Sequence, residues 1–223
     1  MGRLSSVNLG NAERDTDARV GVTGIRKRPV SGPVEVRAPG PRGTGGSGLA
    51  GDEVCDLRHH GGDDQAVYAY AEEDLAEWSA ELGRTLGPGS FGENFTTSGL
   101  DLTAAPVGQR WQVGKQLLLE ISGPRVPCRT FASALDVPGW VRTFTARARP
   151  GAYLRVLKPG RARADDPITI VHTPDHDITL GLAFRAITTE RDLLPRLLVA
   201  DALPAEIQGW ARKAATARPE TAR

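Results

Sequence analysis

As far as about His172, glycine or proline interrupts this chain at intervals of roughly 8–12 residues, and the runs between them are short and apolar. That punctuation leaves room for short strands and little else. The runs Val20–Ile25, Val34–Val36, Ala66–Tyr70, Arg110–Val113, Leu117–Ser122, Ala152–Leu157 and Ile168–Val171 are rich in Val, Ile and Tyr. Many short strands at this spacing predict a mainly β fold, a sandwich or barrel rather than a βαβ sheet. Two helical insertions interrupt it. Glu72–Leu82 sets Leu75, Trp78 and Leu82 on one face, and Trp140–Arg147 is a shorter helix.

After Pro174 the pattern becomes helical. Leu180, Phe184 and Ile187 form one stripe, Leu193, Leu194, Leu197 and Leu198 a second, and Ile207, Trp210, Ala211 and Ala214 a third. Pro204 suits the first position of the last helix, where its missing N–H costs nothing. Helices this short are marginal alone, so they are expected to pack together or on the barrel. The expected division is residues 1–172 for the β domain, 173–215 for a small three-helix bundle and 216–223 for a frayed polar tail.

The balance of 28 Lys+Arg against 27 Asp+Glu removes the basic footprint of a nucleic-acid binder. Two cysteines, Cys55 and Cys128, make no disulfide framework. No apolar stretch approaches the ~20 residues of a membrane helix. The start MGRLSSVNLG lacks the charged and apolar regions of a secretory signal, although Gly2 and Ser6 formally match a myristoylation pattern. A cytoplasmic location is the expectation.

Several motifs fail on context. Gly43 to Gly48 spells G-x-G-x-x-G, but without the preceding strand and following helix of a dinucleotide fold it reads as a flexible loop. Cys55 with His59 and His60, or His172 with His176, falls short of the four ligands of a structural zinc site. Cys55 reads as a small buried residue. Nucleophile-elbow and Walker motifs are absent from the sequence.

Three segments carry chemistry. In Arg58–Gln65, the pair Gly61-Gly62 suits an anion-binding nest, beside histidines able to donate or exchange protons near neutral pH. In Pro88–Thr97, Glu93 and Asn94 combine a carboxylate with an amide between two phenylalanines. In Ile121–Arg129, Pro127 fixes where Cys128 leaves an apolar strand. A helix starting there, with Arg125 and Arg129 alongside, would lower the thiol pKa and make Cys128 a nucleophile, a persulfide carrier or a soft metal ligand.

The ordered motifs HHGGDDQAVYAY, PGSFGENFTTSGL, ISGPRVPCRTF and GAYLRVLKPG resemble the MOSC domain, named for the C-terminal domain of molybdenum cofactor sulfurase. Gly24–Pro29 and Gly51–Glu53 fit the same pattern, and the helical end resembles the three-helix appendage of stand-alone bacterial members associated with resistance to N-hydroxylated purine analogues. The resemblance implies a MOSC-type β-barrel with short helical insertions, whose pocket cysteine binds molybdenum or carries sulfur. On this chain that cysteine is Cys128. The family histidine is His60, which leaves His59 unassigned; the Glu-Asn pair is Glu93 and Asn94, and the N-terminal basic residue is Lys27.

The implied cofactor is molybdenum cofactor (molybdopterin). Lys27, Arg125, Arg129 and the Gly61-Gly62 nest would hold its phosphate and pterin, and Cys128 its metal. His60, Glu93 or Asn94 would orient a substrate or deliver a proton. Pyridoxal phosphate is also attached to the family, but the Schiff-base lysine environment it needs is not evident in this sequence. The expected reaction is two-electron reduction of an N–O bond in a hydroxylated nucleobase or amine. Its electrons would come from a separate electron-transfer protein. The alternatives are a persulfide carrier and a non-catalytic cofactor-binding module.

Overall fold

A computed structural model describes residues 2–217 of the chain. Their strands are β1 (Gly2–Leu9), β2 (Glu13–Arg14), β3 (Val22–Thr23), β4 (Arg28–Pro29), β5 (Val34–Val36), β6 (Val67–Ala71), β7 (Phe95–Ser98), β8 (Arg110–Val113), β9 (Leu117–Gly123), β10 (Ala152–Lys158), β11 (Gly160–Ala162) and β12 (Pro167–His172). Their α-helices are α1 (Glu72–Leu82), α2 (Arg129–Leu135), α3 (Trp140–Arg147), α4 (Leu180–Thr188) and α5 (Ala205–Thr216). Strands β12, β8, β9, β10, β6, β7 and β1 run side by side, and β1 pairs back onto β12. The result is a closed seven-stranded mixed barrel, in which only β6 and β7 are parallel.

The first barrel strand escapes a period-two reading for a physical reason. The register of β1 on β7 shifts between Leu4 and Ser6, so Leu4 and Val7 both face the core although they are three residues apart. The expected strand Val20–Ile25 shrinks to Val22–Thr23, paired with Glu13–Arg14 in a small hairpin outside the barrel. Gly2, the residue that a myristoyl group would need, is buried in β1.

Alternation on β6 divides the molecule into two cores. Val67, Ala69 and Ala71 point into the barrel, whereas Tyr68 and Tyr70 point outward into an aromatic cluster with Trp78, Phe91, Phe131, Trp140 and Phe144. Tyr153 lies directly opposite Tyr68 in the ladder and therefore joins the outer cluster. Helices α1, α2 and α3 bury their aromatic faces there, in tilted and edge-to-face pairs such as Phe91–Phe131 at 5.1 Å.

At the C-terminal end, α4 and α5 are helical as the stripes predict, but the middle stripe is not an α-helix. Arg191–Val199 winds as a 3-10 helix around Pro195, which has no N–H for the i→i−4 ladder. Leu180, Ala183, Ile187 and Leu197 share the barrel's own apolar core, so these helices lean on the barrel wall. Pro204 stands at the N-cap, one residue before its expected place, and α5 continues through Thr216. Residues 218–223 of the expected tail lie outside the described residues.

Within Gly43–Gly48, Gly45 and Gly48 are buried against neighbouring backbone, while Gly43 and Thr44 are exposed. A Cβ on Gly61 would lie 2.8 Å from the Gly46 carbonyl, and one on Gly62 would lie 2.7 Å from the Arg42 backbone. Both glycines are in the left-handed region, at φ 80° and 81°. The segment is the floor on which the His60-Gly61-Gly62 turn rests.

Candidate functional site

One cavity collects most of the residues singled out by sequence. It lies against the outer wall of the barrel, between the β2–β3 hairpin, the 52–65 loops and the start of α2. Lys27, Asp52, Cys55, His60, Gly61, Asn94, Arg125 and Cys128 line it, together with Arg19, Gln65, Tyr68 and Tyr153.

Cys128 stands immediately before α2, in an extended conformation that turns its sulfur to the cavity. Burial alone would raise a thiol's pKa. Here the neighbouring His60 side chain, the Arg125 charge and the N–H of Phe131 outweigh it, and the Cys128 pKa falls to about 6. At neutral pH the residue is a thiolate.

Arg125 is held for this task. Its guanidinium lies 4.0 Å from the Phe131 ring centroid and 4.8 Å from that of Tyr68. Its Nη1 donates to the Phe91 carbonyl. Glu93 shapes the turn that presents that carbonyl: its carboxylate accepts the N–H of Gly89 at 2.5 Å, the N–H of Phe91 at 3.0 Å and the Thr96 hydroxyl at 2.9 Å. Glu93, expected among the catalytic residues, is fully buried and is not among the residues that line the cavity. Burial raises its pKa while these three donors pull it down.

Asn94 lines the cavity with its polar atoms already engaged. Its Oδ1 accepts from the Tyr68 N–H at 3.2 Å, and its Nδ2 donates to Asp52 at 2.9 Å. Lys27 is equally committed: its buried ammonium contacts Asp52, whose Oδ1 also accepts the Gly10 N–H at 2.8 Å. Burial lowers the Lys27 pKa and Asp52 opposes the change. A desolvated amine of this kind is invisible in the sequence, and the Asp52 contact removes Lys27 as a free phosphate ligand.

Three further expectations need correction. Arg129 is 81% exposed and faces Asp17 at 3.5 Å, as the first residue of α2 turns it away from the cavity. The nest is only half available, because the Gly62 N–H is spent on the Gly46 carbonyl at 3.0 Å. Cys55 is not core packing either. It is half-buried on the cavity wall, and burial with nearby Glu53 raises its pKa. His59 turns aside to the Asp56 carboxylate at 3.1 Å.

Sequence reasoning missed Gln65, Tyr68, Tyr153 and Arg19 as cavity residues. For Tyr68 a signal existed: in Val67-Tyr68-Ala69-Tyr70 both faces are apolar, but the large rings all occupy one of them.

This barrel, with a low-pKa cysteine and a histidine facing its outer cavity, is that of a MOSC domain: the MOSC domain family matches residues 56–169, and the chain belongs to it. Among curated relatives it is 30% identical over 176 residues to a protein named "Reductase" from Gibberella moniliformis (strain M3125 / FGSC 7600), covering 78% of this chain and 30% of that one. It is 30% identical over 128 residues to Protein YiiM of Escherichia coli (strain K12), covering 56% of each. The chain thus spans less than two thirds of either relative. Among solved structures, YiiM from Geobacillus stearothermophilus superposes with a TM-score of 0.76 at 25% identity, covering 96% of this chain and 99% of that one. YiiM from Escherichia coli gives 0.70 at 23% identity, covering 96% and 91%, and shows the shared fold. Among the described residues no helix is long and apolar enough to cross a membrane.

Proposed function

We propose that this protein binds molybdenum cofactor through Cys128 and reduces N-hydroxylated nucleobases or amines, with electrons from a separate protein. The observation that carries the reading is that Cys128, His60 and Arg125 line one cavity, where His60 and Arg125 pull the thiol pKa down to about 6. A soft anionic sulfur suits a molybdenum centre, so the donor chemistry fits the group. Arg19, exposed on the rim and without a salt bridge among the described residues, suits its phosphate better than Lys27 or Arg129. Bound there, the cofactor supplies the two-electron chemistry that N–O cleavage requires.

The chain's own residues do the rest. Arg125 keeps the sulfur ionised without blocking it, because its guanidinium is held between two rings and against the Phe91 carbonyl. His60 would supply one of the two protons that the reduction consumes with two electrons as the hydroxylamine oxygen leaves as water, the other coming from solvent. The inner wall is aromatic, with Tyr68 and Tyr153 5.2 Å apart, and excludes bulk water from that side. The Gibberella protein that this chain resembles is named a reductase, which supports a reductive reaction.

The test is metal and pterin analysis of protein purified from a host that makes the cofactor. The expected result is near-stoichiometric molybdenum and pterin, lost together with hydroxylamine turnover in Cys128→Ser. Metal-free wild-type protein, or a labile extra sulfur on Cys128 by mass spectrometry, would overturn the reductase in favour of a sulfur carrier.

A further inference from the structure

The chain has three tyrosines, and two of them commit their hydroxyls to the backbone just before β10. Tyr68 donates to the Pro150 carbonyl at 2.9 Å, and Tyr70 to the Arg149 carbonyl at 3.2 Å. Tyr153, on β10, does neither. Its hydroxyl has no hydrogen-bond partner among the described residues, yet it is not sealed from solvent as the unpartnered Gln65 Oε1 is. The residue is half-buried and lines the same cavity as Cys128 and His60.

The ring is held from both sides of its strand. Tyr153 pairs with Tyr68 on β6 and with Gly123 on β9, and the two tyrosine rings pack at 5.2 Å. The charges that act on its hydroxyl are those of Arg125, Cys128 and Arg42. Both arginines are engaged by carbonyls, of Phe91 and His59, and the Cys128 sulfur acts on the phenol without being bonded to it. Burial holds the phenol pKa above its ordinary value, so the hydroxyl keeps its proton at neutral pH.

A protonated, unengaged hydroxyl near a reactive sulfur suits a bond to oxygen that breaks there. Negative charge then develops on the departing oxygen, and a donor fixed beforehand stabilises it without reorganising. The hydrogen bond strengthens as the charge appears, which favours the transition state over the bound substrate. A phosphate, already anionic, is met better by an arginine. We propose that the Tyr153 hydroxyl donates a hydrogen bond to an oxygen atom that departs beside the Cys128 sulfur. This deepens the proposed function and rests on it only for the identity of that oxygen, the hydroxyl oxygen of the N-hydroxylated substrate. Tyr153 transfers no proton, so the two electrons and two protons of the reduction are unchanged.

Tyr153→Phe removes the hydroxyl and keeps the ring. In cofactor-loaded protein, with reduced methyl viologen as electron donor, kcat for phenylhydroxylamine should fall by about 10–100-fold. Molybdenum and pterin content should stay at the wild-type level. A fall in that content would mean that the hydroxyl holds the cofactor, and it overturns the proposal, as does an unchanged kcat. Apoprotein gives an answer that does not depend on the reductase. Hydrogen peroxide oxidises the Cys128 thiolate to the sulfenic acid: the S–O bond forms as the O–O bond breaks, and sulfur gives up two electrons. The departing hydroxide takes a proton from solvent and becomes water. Iodoacetamide alkylates the same thiolate with loss of iodide, which needs no such donor. In Tyr153→Phe the peroxide rate should fall by about 10-fold relative to the iodoacetamide rate. If that ratio falls while the wild type proves free of cofactor, the reductase fails and the donor role of Tyr153 stands. An unchanged ratio overturns the proposal, whatever the cofactor content. The thermal midpoint of Tyr153→Phe should match the wild type, whereas Tyr68→Phe, which loses its bond to Pro150, should melt lower. A lower midpoint in Tyr153→Phe marks a structural role and also overturns the proposal.

Discussion

The two ends of the cavity are built from similar residues and used in opposite ways. At the amine end, Lys27, Asp52 and Asn94 saturate one another and the backbone around Gly10 and Tyr68. At the sulfur end, Cys128 is ionised, Gln65 is unpartnered, and the Tyr153 hydroxyl has no partner among the described residues. Buried polarity is common to both, so burial does not distinguish support from chemistry. What distinguishes them is whether the hydrogen-bonding capacity has been consumed within the protein.

The comparison breaks hardest at the amine end. Lys27→Met leaves Asp52 a buried carboxylate without its cation, and urea unfolding should show a loss of about 3–5 kcal/mol. A loss below about 1 kcal/mol, the scale of an exposed pair, would mean that the amine end is not structural support. Glu93→Gln presents one fewer accepting oxygen to the Gly89 and Phe91 N–H groups, and should cost about 1–3 kcal/mol by the same measurement.

At the sulfur end the effect should appear in titration. Iodoacetamide labelling of Cys128 should reach half its maximal rate near pH 6, whereas labelling of Cys55 should still be rising at pH 9. Arg125→Met should move the Cys128 midpoint upward by about one unit or more, since the loss of a neighbouring cation favours the neutral thiol. Coincident profiles for the two cysteines would erase the distinction between them. A depressed thiol pKa contributes stability that is complete above the ordinary value of 9.0 and is lost as pH falls through about 6. The stability advantage of wild type over Cys128→Ser should therefore grow between pH 6 and pH 9. The smallest effect should be at the rim, where Asp17→Ala removes only the exposed contacts to Arg129 and Ser133 and should cost under about 1 kcal/mol.

Much of the fold was legible because it rests on local punctuation and period. The strands around Tyr68, Trp111, Leu119 and Leu154 and the helix at Leu75–Trp78 all follow from it. β1 was not legible, because its bulge changes side-chain parity within a single strand. The helical stripe at Leu193–Leu198 failed at Pro195, where apolar spacing and backbone hydrogen bonding disagree. At the site, Cys128 and His60 stood out through residue type and context. The turn-closing contacts of Glu93 were not legible, because a carboxylate that closes a turn and one that faces a substrate look alike in a string of letters. Gln65 was passed over because its distinction is a missing partner, which only three-dimensional neighbours reveal.

Barrel closure bears on how the chain comes to its native state. The seam pairs Gly2 with Ile168, so one edge of β1 has no strand to meet until residue 168 has been made. Such distant pairing makes for slow folding, and a nascent chain carries an unprotected strand edge while it waits.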